Sequence, residues 1–260
     1  MNDQRKLTPS WRIVLEDGYS PECLWYTRWV NQYLALPVSY ACWVLGMRPN
    51  AITVLSIIFT WFGVIVLFAM DVSAWCTALC AYGCLAFGYV LDSSDGQLAR
   101  AAKQSSRAGQ WLDHFFDGLK LLLVNLAFGW ILISSATDSR SVAYSVGAMA
   151  LNLCGQCGFF LAWNFKVLMF GKNLVAKSMG SKRNSGLLSL LLQPTDFGLF
   201  ILLALLLPLN GWFRKAHLAY GVYNVAVATG YVLLSVRTML KMDQLGGAGA
   251  KSEACNDQSV

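Results

Sequence analysis

The chain has 260 residues, of which 56% are hydrophobic and 13% charged, with a net charge of +6 and a mean hydropathy of +0.48. Apolar runs of about 20 residues recur along it, which excludes a soluble globular domain and predicts an all-α, polytopic membrane protein. The positive balance is read as membrane topology plus attraction to anionic lipid, so no nucleic-acid partner is expected.

Residues 1–21 are polar and are expected to stay poorly ordered until something docks them. The chain opens without a charged-then-apolar stretch ending in a cleavage site, so no signal peptide is expected. Residues 22–47 interleave Trp25, Tyr26, Trp29, Tyr33, Tyr40 and Trp43 with Arg28, Asn31 and Gln32. Aromatics mixed with polar groups favour the headgroup region, which predicts an N-terminal interfacial helix on the cytoplasmic surface. A seventh span over 33–47 is the alternative; it is short, and an odd count would spoil the charge asymmetry described below. Arg48, Pro49 and Asn50 signal a helix start. Six transmembrane helices are then predicted at about 51–70, 73–92, 111–136, 141–170, 196–209 and 214–240, within one domain over 48–242. The segment 171–195 reads as a cytoplasmic loop, and the tail 243–260, rich in Gly, Ala, Ser and acidic residues, as disordered. No internal repeat is found.

Six spans leave both termini on one side. That side collects Arg5, Lys6, Arg12, Arg28, Arg48, Arg100, Lys103, Arg107, Lys172, Lys177, Lys182, Arg183, Arg237, Lys241 and Lys251, whereas the other holds Arg140, Arg214 and Lys215. Positive residues are retained in the cytoplasm, which puts both termini and the loop after the second span there. The cysteines fall mostly in apolar segments, where Cys behaves as a small hydrophobe. Cys76, Cys80 and Cys84 recur every fourth residue, a stripe expected to serve close helix packing. Cys154 and Cys157 have C-x-x-C spacing inside a span, where redox or zinc chemistry is not expected.

Four aspartates stand out against this background. Asp92 and Asp95 are three apart and Asp113 and Asp117 four apart, so each pair lies on one face of its helix. Carboxylates at a membrane boundary are expensive to desolvate and mark function by default. Four that face one another would have to protonate unless cations hold them apart. Hard oxygen ligands from two helices predict a site for Mg²⁺ or Mn²⁺.

In full, the segment reads Asp92-Ser-Ser-Asp95-Gly96-Gln-Leu-Ala99-Arg100, eight residues, Gly109, three residues, Asp113, three residues, Asp117. Gly96 and Gly109 lack a Cβ, so a ligand or a neighbouring helix can approach the backbone there, and Ala99 serves the same need one turn on. Arg100 offers a planar, permanently charged fork suited to pyrophosphate oxygens; the plainer reading is a flanking charge. This segment resembles, at all eight fixed positions, the signature D-x-x-D-G-x-x-A-R-x8-G-x3-D-x3-D of the CDP-alcohol phosphotransferases. Pro49-Asn50-x-x-Thr53 is similar to the P-N-x-x-T that opens the family's first span.

The resemblance implies a phosphotransferase with a two-metal site of Mg²⁺ or Mn²⁺, in which 48–242 is the catalytic domain. It implies that Asp92, Asp95 and Asp113 hold metal, and that Asp117 both approaches the metals and acts as the base. Gly96, Ala99, Arg100 and Gly109 would shape the cytidine diphosphate site, with Asn50 and Thr53 close to the nucleotide. A CDP-linked donor, a membrane lipid and a homodimeric assembly are implied as partners. The expected reaction moves a phosphatidyl group from CDP-diacylglycerol to a small alcohol or polyol, or a polyol phosphate, releasing CMP.

The acceptor is open in the sequence. Lys120 lies three residues after Asp117 on the same face; it can bind an acceptor phosphate, snorkel to the surface or pair with the aspartates. Arg107, Lys177 and Arg183 are further candidates for the acceptor, although the basic loop also reads as a solvated, inside-positive one. Asp196 either closes the acceptor pocket or caps a helix. His114 is expected to point away from the carboxylate pair, and resembles the Asp-His of choline and ethanolamine phosphotransferases. Two alternatives stand beside the main reading: transfer from CDP-choline or CDP-ethanolamine to diacylglycerol, and a cation transporter. The transporter would not need Gly96, Ala99, Arg100 and Gly109 at these spacings, and its site is expected near the midplane.

Overall fold

The computed structural model describes residues 8–20, 23–170 and 195–256. Eight helices, numbered in chain order, make up the described chain. Five of them are long and apolar enough to cross a membrane: α3 (Pro49–Ala69), α4 (Trp75–Ala101), α5 (Arg107–Ser134), α6 (Ser139–Phe170) and α8 (Asn210–Asn256). The protein is therefore an integral membrane protein built from helices.

Local chemistry sets the helix starts. Pro49 opens α3 after an extended Arg48, where its fixed φ suits the first turn and its missing N–H costs nothing. Ser106 caps α5 by accepting from Gly109 N at 3.0 Å. Before α6, Asp138 Oδ1 accepts from Ser141 N at 2.9 Å, and this hydrogen bonding holds the Asp138 carboxyl below its ordinary range. α4 runs nine residues past the predicted end of its span, so Asp92 and Asp95 lie within a continuous helix.

The predicted fifth span is short. α7 (Phe197–Ile201) continues as a 3-10 turn over Leu202–Leu206. Five α-helical and five 3-10 residues rise about 17 Å, little more than half of a hydrocarbon core of about 30 Å. Pro208, two residues on, keeps the run from continuing.

The N-terminal segment is docked on the bundle. α1 (Trp11–Ile13) continues as a π-helical turn over Val14–Gly18, and a second π-helical turn, Thr27–Asn31, leads into α2 (Gln32–Val44). α2 lies against α4 through polar bonds: Gln97 Nε2 donates to Gln32 O at 2.9 Å, Ser39 Oγ to Gln97 Oε1 at 2.8 Å, and Asn31 Nδ2 to Ser93 Oγ at 2.6 Å. The opposite side presents Trp29, Tyr33 and Leu34 outward. Residues 8–20 are thus placed by α4, with Val14 fully buried.

Helix packing relies on small residues, as expected where lipid gives no hydrophobic drive between helices. A Cβ at Gly88 would meet Thr60 Oγ1 at 2.6 Å, and one at Gly155 would meet Val225 N at 2.6 Å, so α4 touches α3 and α6 touches α8 at these points. The cysteine stripe takes no such part: Cys76 and Cys80 are exposed and Cys84 half-buried. Thr77, Ala78, Ala81 and Leu85 carry the packing from another face of α4, because small and branched side chains there fit the neighbouring helices. The described cysteines are free thiols. α8 continues to Asn256, beyond the start of the tail expected to be disordered at 243; Ala248, Ala250, Lys251 and Glu253 are good helix formers that offset Gly246 and Gly247.

Candidate active site

α4 and α5 present their acidic faces to each other. Carboxylate oxygens of Asp92, Asp95 and Asp113 lie within 4.8 Å of one another, and Asp113, His114 and Asp117 offer a second such group. The donor set of the first group is all hard oxygen, which fits Mg²⁺ or Mn²⁺ and does not fit softer metals that prefer sulfur or imidazole.

Lys120 sits inside this cluster. Its Nζ forms an ion pair with Asp92 Oδ1, across from α5 to α4, and lies 3.3 Å from Asp117 Oδ1 on its own helix. The Lys120 side chain is 4% exposed and is paired with two carboxylates. Of the three readings of Lys120, pairing with the aspartates is the one observed. His114, expected to face away from the carboxylate pair, instead brings Nδ1 to 3.8 Å from Asp113 Oδ2 and groups with Asp113 and Asp117.

The positions assigned to the nucleotide gather at the open ends of α3, α4 and α5. Thr53 Oγ1 hydrogen-bonds Asp95 Oδ2 and also donates to Pro49 O at 3.3 Å, which ties α3 to the acidic cluster. A Cβ at Gly109 would lie 3.0 Å from Ser106 Oγ and 3.4 Å from Asn50 Oδ1, so Gly109 lets the starts of α3 and α5 meet. A Cβ at Gly96 would lie 3.2 Å from an Arg100 terminal nitrogen. Arg100 donates through Nε at 2.9 Å and through a terminal nitrogen at 2.7 Å to Gly18 O, leaving its other nitrogen beside Gly96. Ala99 is half-buried one turn after Asp95. Arg107 is exposed at the first position of α5 and is not part of the cavity that follows. Lys177 and Arg183, like Lys172 and Lys182, lie outside the described residues.

A cavity of about 350 Å³ opens beside the aspartates. It is lined by Tyr89, Asp92 and Ser93 of α4, by Asp113, Asp117, Lys120 and Leu121 of α5, by Gln156 and Phe160 of α6, and by Thr27, Thr195 and Asp196. Asp196 caps α7, accepting from Gly198 N at 3.0 Å, and it also joins three segments. Its carboxylate accepts from Thr27 N at 2.9 Å, Thr27 Oγ1 at 2.7 Å and Tyr89 Oη at 3.0 Å.

Thr27, Tyr89, Ser93 and Gln156 were not singled out by sequence reasoning. Tyr89 was recoverable, since it precedes Asp92 by three and shares its face. Gln156 was recoverable as a polar side chain within an apolar span. Thr27 carries no local signal, because the N-terminal segment reaches the cavity only through tertiary contact.

Comparison with protein families gives a match to the model described as CDP-alcohol phosphatidyltransferase over residues 46–234, more than half of the 260 residues. Among curated proteins nothing matches.

Proposed function

The chain belongs to the CDP-alcohol phosphatidyltransferase family, and on that premise we propose that it moves a phosphatidyl group from CDP-diacylglycerol to a small hydroxylated acceptor, releasing CMP. The observation that carries this reading is the convergence of Asp92, Asp95 and Asp113 between membrane-spanning helices, with Asp92, Asp113 and Asp117 lining a cavity there. The family match leaves the cation-transporter alternative without support.

Asp92, Asp95, Asp113 and Asp117 would hold Mg²⁺ or Mn²⁺. Bound ions supply neutralisation of the diphosphate and of the departing CMP. Thr53 orients Asp95, and Lys120 orients Asp92 and Asp117 by pairing with both. Gly96, Ala99, Arg100 and Gly109 admit and pair the cytidine diphosphate, with Asn50 at the rim. Asp117 takes the proton from the acceptor hydroxyl as its oxygen attacks the β-phosphorus, the one carrying diacylglycerol.

The reading includes a topology. Both termini and the aspartates face the cytoplasm, supported by the distribution of Lys and Arg. Residues 22–47 lie at the interface, supported by the outward Trp25, Trp29 and Tyr33. α7 belongs to a sixth crossing, and the protein assembles as a homodimer, as the family implies.

The test is CMP release by purified protein in detergent with Mg²⁺. CDP-diacylglycerol is supplied against glycerol 3-phosphate, inositol, inositol phosphate, serine and choline, with CDP-choline or CDP-ethanolamine plus diacylglycerol in parallel. Acceptor-dependent CMP from CDP-diacylglycerol supports the proposal; CMP only in the parallel arm reverses donor and acceptor.

A further inference from the structure

The end of the bundle away from the aspartates carries a second cavity, of about 590 Å³. It is an open groove along α8, lined by Lys215, Leu218, Ala219, Val222 and Ala226, with Tyr144 of α6 at its side. These α8 positions recur at intervals of three and four residues, so they share one face of the helix. Ala219 and Ala226 are small and exposed beside the larger Leu218 and Val222, which gives the face its depression.

Hydrogen bonds fix where the groove sits. Arg214, the neighbour of Lys215, turns inward and donates through a terminal nitrogen to Leu132 O at 3.3 Å and to Ser145 Oγ at 3.2 Å. Tyr144 Oη donates to Arg214 O at 3.2 Å. Leu132 lies fifteen residues beyond Asp117 on α5, a rise of about 22 Å, so the groove is separate from the acidic cavity and belongs to the other leaflet. From Lys215 to Ala226 the helix rises about 16 Å, close to half of a hydrocarbon core of about 30 Å. The groove therefore has the depth of one leaflet.

Lys215 is a cation without an acid of its own. Its ammonium lies 5.5 Å from the ring centroid of Trp212, and none of the ion pairs among the described residues includes it. Asp71 and Asp138, in the loops at this end, are taken up as caps: they accept from Ser73 N and Ser141 N, each at 2.9 Å. Trp212 is 67% exposed beside Lys215, and such a pair suits the headgroup level.

From this we propose that the groove binds one anionic phospholipid of the leaflet opposite the aspartates. Its phosphate rests on Lys215 and one acyl chain runs along Leu218, Ala219, Val222 and Ala226. An apolar trough of one leaflet's depth with a cation at its interfacial end matches this ligand in both charge and length. A water-soluble anion leaves the trough unfilled. A second copy of the chain fits less well, because a two-fold axis along the membrane normal sets both Lys215 side chains at the same depth, like charge toward like. The site lies apart from the transfer reaction and does not depend on it.

The experiment counts phosphatidylglycerol molecules retained per chain, by native mass spectrometry of the full-length protein in detergent, for wild type, Lys215→Gln and Ala219→Trp. Phosphatidylcholine with the same acyl chains and inorganic phosphate are the comparison probes. Ala219→Trp fills the groove and is expected to retain one phosphatidylglycerol fewer per chain. Lys215→Gln leaves the groove open and removes the charge. It should need about fivefold more phosphatidylglycerol to reach the wild-type count, the effect of one basic residue at an anionic surface, while its phosphatidylcholine titration stays within twofold. Because Lys215 is exposed, this variant reports even where the tryptophan variant does not fold. An unchanged lipid count in Ala219→Trp overturns the inference, as does a phosphatidylglycerol titration within twofold of wild type in Lys215→Gln. Displacement of the lipid by an equal concentration of inorganic phosphate also overturns it. Loss of a dimer in Ala219→Trp with no loss of lipid would give the groove to a second copy instead.

Discussion

Lys120 of α5 forms an ion pair with Asp92 of α4, and the same ammonium lies 3.3 Å from Asp117. Two helices that would otherwise repel through their acidic faces are thereby joined by a cation that belongs to the chain. Breaking a buried pair by removing one partner costs about 3–5 kcal/mol. Lys120→Met should accordingly lower the melting temperature in detergent, and Mg²⁺ should restore more of the loss than it adds to wild type. Equal Mg²⁺ shifts in both proteins would mean that Lys120 and the metals do not share the same carboxylates.

Asp196 fastens the N-terminal segment through Thr27 and Tyr89. Hydrogen bonds to a charged acceptor contribute about 1.5–3 kcal/mol each, so Asp196→Ala should destabilise by at least one such amount. Limited proteolysis is the direct readout: cleavage within residues 8–31 should become faster, while α3 to α6 stay protected. Unchanged cleavage would show that the contacts of the segment with α2 and α4 hold it without Asp196.

Arg100 donates twice to Gly18 O with one edge of its fork, and the remaining nitrogen faces Gly96. Lysine carries the charge and lacks the fork. Arg100→Lys should raise the KM for the CDP-linked donor about tenfold, as expected for one charge-assisted bond, and leave the acceptor KM unchanged. A rise in acceptor KM instead would move Arg100 out of the nucleotide site.

Much of this was legible in the sequence for physical reasons. The apolar runs, the charge asymmetry and the two pairs of aspartates at helical spacing each follow from rules that act along one helix. Five of the predicted spans correspond to long helices, and the acidic faces of α4 and α5 do meet. What escaped is tertiary. No local rule tells that Gly18 O receives Arg100, that Asp196 reaches Thr27 across the chain, or that Asn125 donates to Gln156. The cysteine stripe misled because a period of four marks a face without saying which way it points. The fifth predicted span, 196–209, coincides with the short α7 and its 3-10 turn, whose ten residues are too few to count as a long membrane helix.

The donor set of Asp92, Asp95 and Asp113 suits a small, hard cation. EDTA should abolish CMP release, and Mg²⁺ or Mn²⁺ should restore it, whereas Ca²⁺ should restore little because it prefers bonds of about 2.3–2.6 Å and looser geometry. Turnover that persists in chelator would remove the metal from the account.

Asp117→Asn tests the central claim most directly, measured as CMP release from CDP-diacylglycerol with saturating acceptor and Mg²⁺. A positioned base contributes about 10²- to 10⁴-fold, so the variant is expected to lose at least a hundredfold in rate while retaining most of its affinity for the CDP-linked donor. A rate within a few-fold of wild type would contradict the assignment of Asp117 as the base.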